Sequence, residues 1–187
     1  MTFKIVGERH LAAGKFLNLR LIDYLDDNGN PRTWEAAGRV NSQGAVLLIP
    51  RFEPDGGVLL IRQFRAPTGG YVIEFPAGLI DPGETPESTA VRELYEETGY
   101  RGRIDRIGTP SYSSPGLSGE QIIPVWMTID RRQYPEPPES HPESTESIEV
   151  FPLYPDGIAP FLDAAIARGD GIDTKVLLLY RNGDHGI

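Results

Sequence analysis

The chain of 187 residues contains no cysteine, which excludes disulfides, thiolate metal ligands and thiol catalysis. That absence is compatible with a reducing compartment, and a cytoplasmic location is expected. Long apolar runs are missing as well. No stretch approaches the roughly eighteen hydrophobic residues of a membrane-crossing helix, and the opening MTFKIVGERH lacks a signal-peptide core. A soluble, unprocessed protein with no membrane partner is therefore expected. Basic runs are absent too. With a formal net charge of −9, tight non-specific binding to duplex nucleic acid is not expected, so the expected partner is a small molecule.

What is present is enough chain for one domain with a real core and an added N-terminal element. Short strand-like segments dominate. Residues 3–9, 16–24 and 33–40 read as strands, and the cluster Asp26-Asp27-Asn28-Gly29-Asn30 supplies the turn between the last two. They predict an N-terminal antiparallel sheet. Residues 45–50 and 58–64 are denser apolar runs on either side of Glu53-Pro54-Asp55-Gly56-Gly57, predicting a second hairpin buried on more faces. Further strands are expected at 71–75, 103–108 and 121–130. Residues 158–168 carry Ile158, Phe161, Leu162, Ala165 and Ile166 at helical spacing before Gly169, which predicts a packing helix. Residues 173–181 suit a helix started by Asp173 or Thr174, although 176–180 alone would also suit a strand. Residues 131–147, rich in proline, glutamate and serine, read as a solvated loop. A long loop in a compact enzyme is also a candidate lid.

The chemistry concentrates in residues 78–100, GLIDPGETPESTAVRELYEETGY. Thr85 can cap a helix, Pro86 suits its first turn and Gly99 stops it, so the spacing predicts a helix over 86–98. At about 100° per residue, Ala90, Val91, Leu94 and Tyr95 share one arc, and Glu93, Glu96 and Glu97 share the next. Like charges at that spacing cost roughly 0.2–0.5 kcal/mol per pair, and a divalent cation would remove the cost. An all-oxygen donor set is hard, so Mg²⁺ or Mn²⁺ is expected rather than zinc.

This segment resembles the Nudix box, G-x5-E-x7-R-E-U-x-E-E-x-G-U with U aliphatic or aromatic. Gly78, Glu84, Arg92, Glu93, Leu94, Glu96, Glu97, Gly99 and Tyr100 stand at its positions. Arg62-Gln63-Phe64-Arg65 and Glu74-Phe75-Pro76-Ala77-Gly78 upstream, with Ser114-Pro115-Gly116 downstream, resemble the ADP-ribose pyrophosphatase branch of that superfamily. The resemblance implies an α/β Nudix fold: a mixed β-sheet sandwiched between α-helices. An N-terminal antiparallel β extension (1–41) would dimerise and help recognise the base, ahead of the hydrolase domain (42–187). It also implies Mg²⁺-dependent hydrolysis of the diphosphate bond of ADP-ribose, giving AMP and ribose 5-phosphate, and of related ADP-sugars, by a homodimer. Two other readings stay open: a pyrophosphatase for another nucleotide sugar such as GDP-mannose, and an ADP-ribose-sensing module that does not hydrolyse.

Carried over residue by residue, the resemblance implies metal ligation by Glu93, Glu97, Glu96 and the Ala77 carbonyl, with Arg92 orienting Glu96. Arg65 matches an arginine that holds the diphosphate, Glu74 matches a substrate-site carboxylate, and Leu79, Pro115 and Gly116 fall in substrate-binding segments. Trp34 matches an aromatic that stacks on adenine, with Glu35 and Arg39 as neighbours that contact the nucleotide across a dimer interface. Phe16 stands where the branch has a second stacking aromatic. Glu146 takes the position of a general base at the end of the lid, with Glu143 as the alternative.

Overall fold

Two separate sheets divide the strands. In the computed structural model, which describes residues 2–142 and 147–180, β1 (Lys4–Ala13), β2 (Leu17–Leu25) and β3 (Pro31–Arg39) form an antiparallel sheet of their own. Asp26 builds the turn between β2 and β3. Its Oδ1 accepts from the backbone N–H of Asn28 at 3.0 Å and of Asn30 at 2.9 Å, and Gly29 takes the left-handed φ of 80° that glycine tolerates. Ile5 and Phe16, about two-thirds exposed, leave apolar surface of this sheet open to solvent.

Among the described residues the second sheet is mixed and has nine strands: β4 (Ala45–Glu53), β5 (Val58–Arg65), β6 (Gly70–Glu74), β7 (Ala77–Leu79), β8 (Arg103–Ile107), β9 (Ser111–Tyr112), β10 (Gln121–Asp130), β11 (Ile148–Leu153) and β12 (Gly171–Ile172). β4 and β5 pair at Arg51 and Val58, beside the predicted turn, and then take different neighbours. β4 runs parallel to β10 and antiparallel to β7, whereas β5 pairs with β6 and β11. Three helices cover the faces: α1 (Pro86–Thr98), α2 (Ile158–Arg168) and α3 (Thr174–Tyr180). None of the described helices is long and apolar enough to cross a membrane.

Strand alternation explains why β4 is a continuous apolar run. Val46, Leu48 and Phe52 pack on one side with Ala90 and Leu94 of α1, and Leu47 and Ile49 pack on the other with Leu162 and Ala165 of α2 and Val176 of α3. Both faces are covered, so both parities are hydrophobic. The result is the mixed sheet between helices that the family resemblance implies.

Two local expectations need correction, and the arcs of α1 gain a direction. On α1 the buried set is Thr89, Ala90, Leu94, Glu97 and Thr98, whereas Val91 is 45% exposed. The helix is turned so that Glu97 faces inward, because the backbone N–H of Ala77 donates to Glu97 Oε2 at 3.1 Å. On α2, Ile166 lies outside the packed stripe of Ile158, Leu162 and Ala165. The described part of the 131–147 loop is docked rather than merely solvated. Its Tyr134 hydroxyl accepts from the Arg101 N–H at 2.8 Å, and its His141 N–H donates to the Glu96 carbonyl at 2.7 Å. Residues 174–180 are helical, and Arg181 lies outside the described residues.

Candidate active site

The site is built where the turn after β6 meets the start and outer edge of α1. Thr85 caps that helix, with its hydroxyl accepting from the Ser88 N–H at 3.3 Å while the Ser88 hydroxyl accepts from the Thr85 N–H at 3.0 Å. Pro86 opens the first turn, and Gly99 closes the last with a left-handed φ of 75°. These local rules fix which edge of α1 carries the carboxylates.

Arg92 organises that edge. Its Nε and Nη2 donate to the two oxygens of Glu84 at 2.9 and 2.8 Å, a bidentate fork, while Nη1 donates to Glu93 Oε1 at 2.8 Å and Glu96 Oε2 at 3.0 Å. One guanidinium therefore holds three carboxylates, which offsets their mutual repulsion. The predicted pairing with Glu96 is present, and Glu84 and Glu93 are added to it. Glu84 keeps Arg92 firmly charged, and the Arg92 contact in turn holds the Glu84 carboxyl down at about 2.

Glu93 sits against the backbone. A Cβ at Gly78 would lie 1.9 Å from Glu93 Oε1, so only glycine at that position leaves the carboxylate its place. Glu97 lies behind it, 2% exposed and bonded to the Ala77 N–H. Among the described residues, no three metal-ligating side chains are already gathered round one point. The donors that Ala77, Glu93, Glu96 and Glu97 offer are all hard oxygens, and this set fits an alkaline-earth-type divalent cation rather than zinc. The tight Gly78–Glu93 approach would hold one of these donors in place for such a cation.

A cleft of about 420 Å³ opens over this edge. It brings together Arg92, Glu93, Glu96, Ala77 and Leu79 with Arg65, Glu74 and Arg39. Arg65 Nε donates to Glu74 Oε1 at 2.8 Å. Burial pushes the Glu74 carboxyl up, against the opposing pull of Arg65. Arg39 Nε donates to Glu120 Oε1 at 2.7 Å, which ties β3 to the loop before β10.

The proposed base-recognition residues stand apart. Trp34, Glu35, Phe16, Pro115 and Gly116 do not line the cleft. The Trp34 indole donates to the Gly116 carbonyl at 3.1 Å, so this tryptophan and the 114–118 loop fix each other. Phe16 carries the Lys15 ammonium 4.8 Å from its ring centre. Its carbonyl accepts from the Val40 N–H at 3.0 Å; six strand positions separate Trp34 from Val40, roughly 20 Å along the sheet. Phe16 and Trp34 of one chain cannot sandwich one base. Glu143 and Glu146 lie outside the described residues.

Several charged lining or anchoring groups, Asp81 among them, had no site role in the sequence reading. Glu84 was matched by pattern but given no role; its place before the cap, with Arg92 two helical turns on, was the available signal. Glu120, Asp173 and Lys175 also line the cleft. No local pattern marks them, because strand pairing far along the chain brings them there.

Comparison with known proteins agrees with this geometry. The NUDIX domain family matches residues 41–154. The ADP-sugar pyrophosphatase of Mus musculus is 36% identical over 181 residues, covering 92% of this chain and 83% of that protein. The ADP-ribose pyrophosphatase of Saccharomyces cerevisiae is 38% identical over 162 residues, covering 79% and 69% respectively. A crystal structure of an ADP compounds hydrolase superposes with a TM-score of 0.63 at 25% identity, over 87% of this chain and 84% of that one.

The Arg92–Glu84 fork predicts an acid limb in stability. A carboxyl held down from 4.5 to about 2 contributes stability above its unfolded value, and that contribution fades as pH falls from about 4.5 through about 2. Urea denaturation across that window should show wild type losing more stability than Glu84→Gln. Parallel curves for the two proteins would contradict the fork as a stabilising contact.

Proposed function

The chain belongs to the NUDIX family, and from that premise we propose that it hydrolyses the diphosphate bond of ADP-ribose and related ADP-sugars. The observation that carries this reading is the cleft in which the α1 carboxylates face Arg65, Glu74 and Arg39. Relatives in mouse and yeast that match most of the chain are named for ADP-sugar and ADP-ribose pyrophosphatase activity.

Water attacks one phosphorus, the bond from that phosphorus to the bridging oxygen breaks, and AMP and ribose 5-phosphate leave. NUDIX hydrolases depend on a divalent metal; we assign Mg²⁺ here, with Mn²⁺ as substitute. Held by Glu93, Glu96, Glu97 and the Ala77 carbonyl, the cation would neutralise diphosphate charge and stabilise the reacting phosphoryl group. Arg92 keeps Glu93 and Glu96 in register and limits their repulsion. Arg65, fixed by Glu74, contributes a planar donor for phosphate oxygens. Glu146 takes the proton of the attacking water, with Glu143 the alternative, a role that Brønsted catalysis values at roughly 10²–10⁴-fold.

Residues 1–41 serve as a dimerising extension and 42–187 as the hydrolase domain. Two observations support this division: the open apolar surface around Ile5 and Phe16, and the wide separation of Phe16 from Trp34 within one chain. A base stacked between these aromatics takes one from each protomer, with Glu35, Pro115 and Gly116 near the Trp34 side.

Product-resolved assays with Mg²⁺ on ADP-ribose and GDP-mannose test the reaction. ADP-ribose should yield AMP and ribose 5-phosphate with the higher kcat/KM. Binding without turnover would instead indicate a sensor. Glu97→Gln should lower kcat by orders of magnitude while the protein stays folded, since the amide oxygen can still accept from Ala77. Of the two loop variants, Glu146→Gln should be the inactive one. An inactive Glu143→Gln beside an active Glu146→Gln would move the base by three residues.

The quaternary proposal has its own check by light scattering. Wild type should run as a dimer, and Ile5→Asp should shift it toward monomer with a raised KM. A fully active wild-type monomer would rule out the shared site.

A further inference from the structure

Lys175 is a cation in the cleft that the reaction described above leaves unused. It stands on α3, outside residues 41–154 that match the NUDIX family, so this part of the wall is supplied by a segment beyond the family pattern. Strand pairing puts it there. β12 runs parallel to β6, with Gly171 opposite Val72 and Ile172 opposite Ile73, and the Asp173 N–H donates to the Ile73 carbonyl at 2.9 Å. The next residue on β6 is Glu74, so α3 begins beside the Arg65–Glu74 pair.

Asp173 then sets the direction of the lysine. Its Oδ1 accepts from the Lys175 backbone N–H at 2.7 Å, and its Oδ2 accepts from Lys175 Nζ at 2.8 Å. An ammonium has three donors, and this bond uses one. The side chain is 34% exposed and lines the same cleft as Arg65 and Glu93. Two cations, each held by its own carboxylate, thus stand on one wall. A planar guanidinium suits two oxygens at once, whereas a mobile ammonium acts as a point charge that can follow a phosphate group.

We propose that Lys175 is a substrate-contacting residue that donates to a phosphate oxygen of the nucleoside diphosphate from the α3 wall of the cleft. The proposal rests on the functional reading above. It differs from a purely structural role in a measurable way: the start of α3 is capped through the backbone N–H of Lys175, so removing the ammonium leaves that cap in place.

Calorimetry with a non-hydrolysable methylene-bridged ADP-ribose, in EDTA and again with Mg²⁺, decides it. Lys175→Met should raise Kd roughly tenfold, in line with a lost charge-assisted hydrogen bond. It should weaken the salt dependence of binding and leave Tm unchanged. Lys175→Arg should keep wild-type affinity. A wild-type Kd in Lys175→Met, with or without a lowered Tm, overturns the contact. Should that variant fail to fold, Lys175→Gln against Lys175→Arg carries the same comparison, and equal Kd values overturn it. Wild type that cleaves ADP-ribose while the variants bind alike removes only the lysine assignment. Wild type that neither binds the analogue nor cleaves ADP-ribose removes both this contact and the functional reading.

Discussion

The grip of Arg92 on Glu84, Glu93 and Glu96 is the interaction on which the site depends. Glu93 and Glu96 on one helix edge, with Glu84 beside them from the turn ahead of it, would spread apart if left alone; at helical spacing a like-charged pair costs roughly 0.2–0.5 kcal/mol. A single guanidinium resolves this by placing two nitrogens on Glu84 and a third between the other two acids. Glu84 sits just before the Thr85 cap, so the fork also ties the turn ahead of α1 to the middle of the helix. The same contact therefore joins the turn to the helix and holds Glu93 and Glu96 side by side.

The backbone supplies the second constraint. Ala77 and Gly78 form part of β7, paired to β4 at Leu47 and Val46, so their position is fixed by the sheet core. Against this fixed edge Glu97 is bonded to the Ala77 N–H, and Glu93 occupies the space a side chain at Gly78 would need. A strand end and a capped helix thus meet with no room for a side chain at Gly78, and the cleft opens over their junction. The far wall comes from elsewhere: Arg65 and Glu74 from adjacent strands, Arg39 from the N-terminal sheet, and Lys175 from α3.

Much of this was legible in the sequence, and the reasons are local. The α1 boundaries follow from Thr85, Pro86 and Gly99, whose effects act within one helical turn. The doubly buried β4 follows from its unbroken apolar run. Arc geometry alone does not say which edge of the apolar arc turns inward; the Glu97 bond to Ala77 does, and it leaves Val91 half exposed. Packing of the 131–142 segment against the end of α1 was invisible for a similar reason. Proline and glutamate read as solvated, yet the deciding contacts are backbone bonds and the Tyr134 and Tyr100 rings, 4.8 Å apart. Asp173 and Lys175 could not be assigned to the cleft from spacing, since the short parallel pairing of β12 with β6 joins segments far apart in the chain.

Most directly testable is the divalent-cation site proposed for the Ala77–Gly78 segment of β7 and the α1 carboxylates. Titration of Mn²⁺ followed by electron paramagnetic resonance, comparing wild type with Gly78→Ala, tests it most directly. The added Cβ would overlap Glu93 at Oε1, Cδ and Cγ and force that side chain aside. Circular dichroism should therefore be unchanged while Mn²⁺ affinity falls roughly 10–100-fold, as when the support of a ligand is lost. Equal Mn²⁺ affinity in the two folded proteins would contradict the claim.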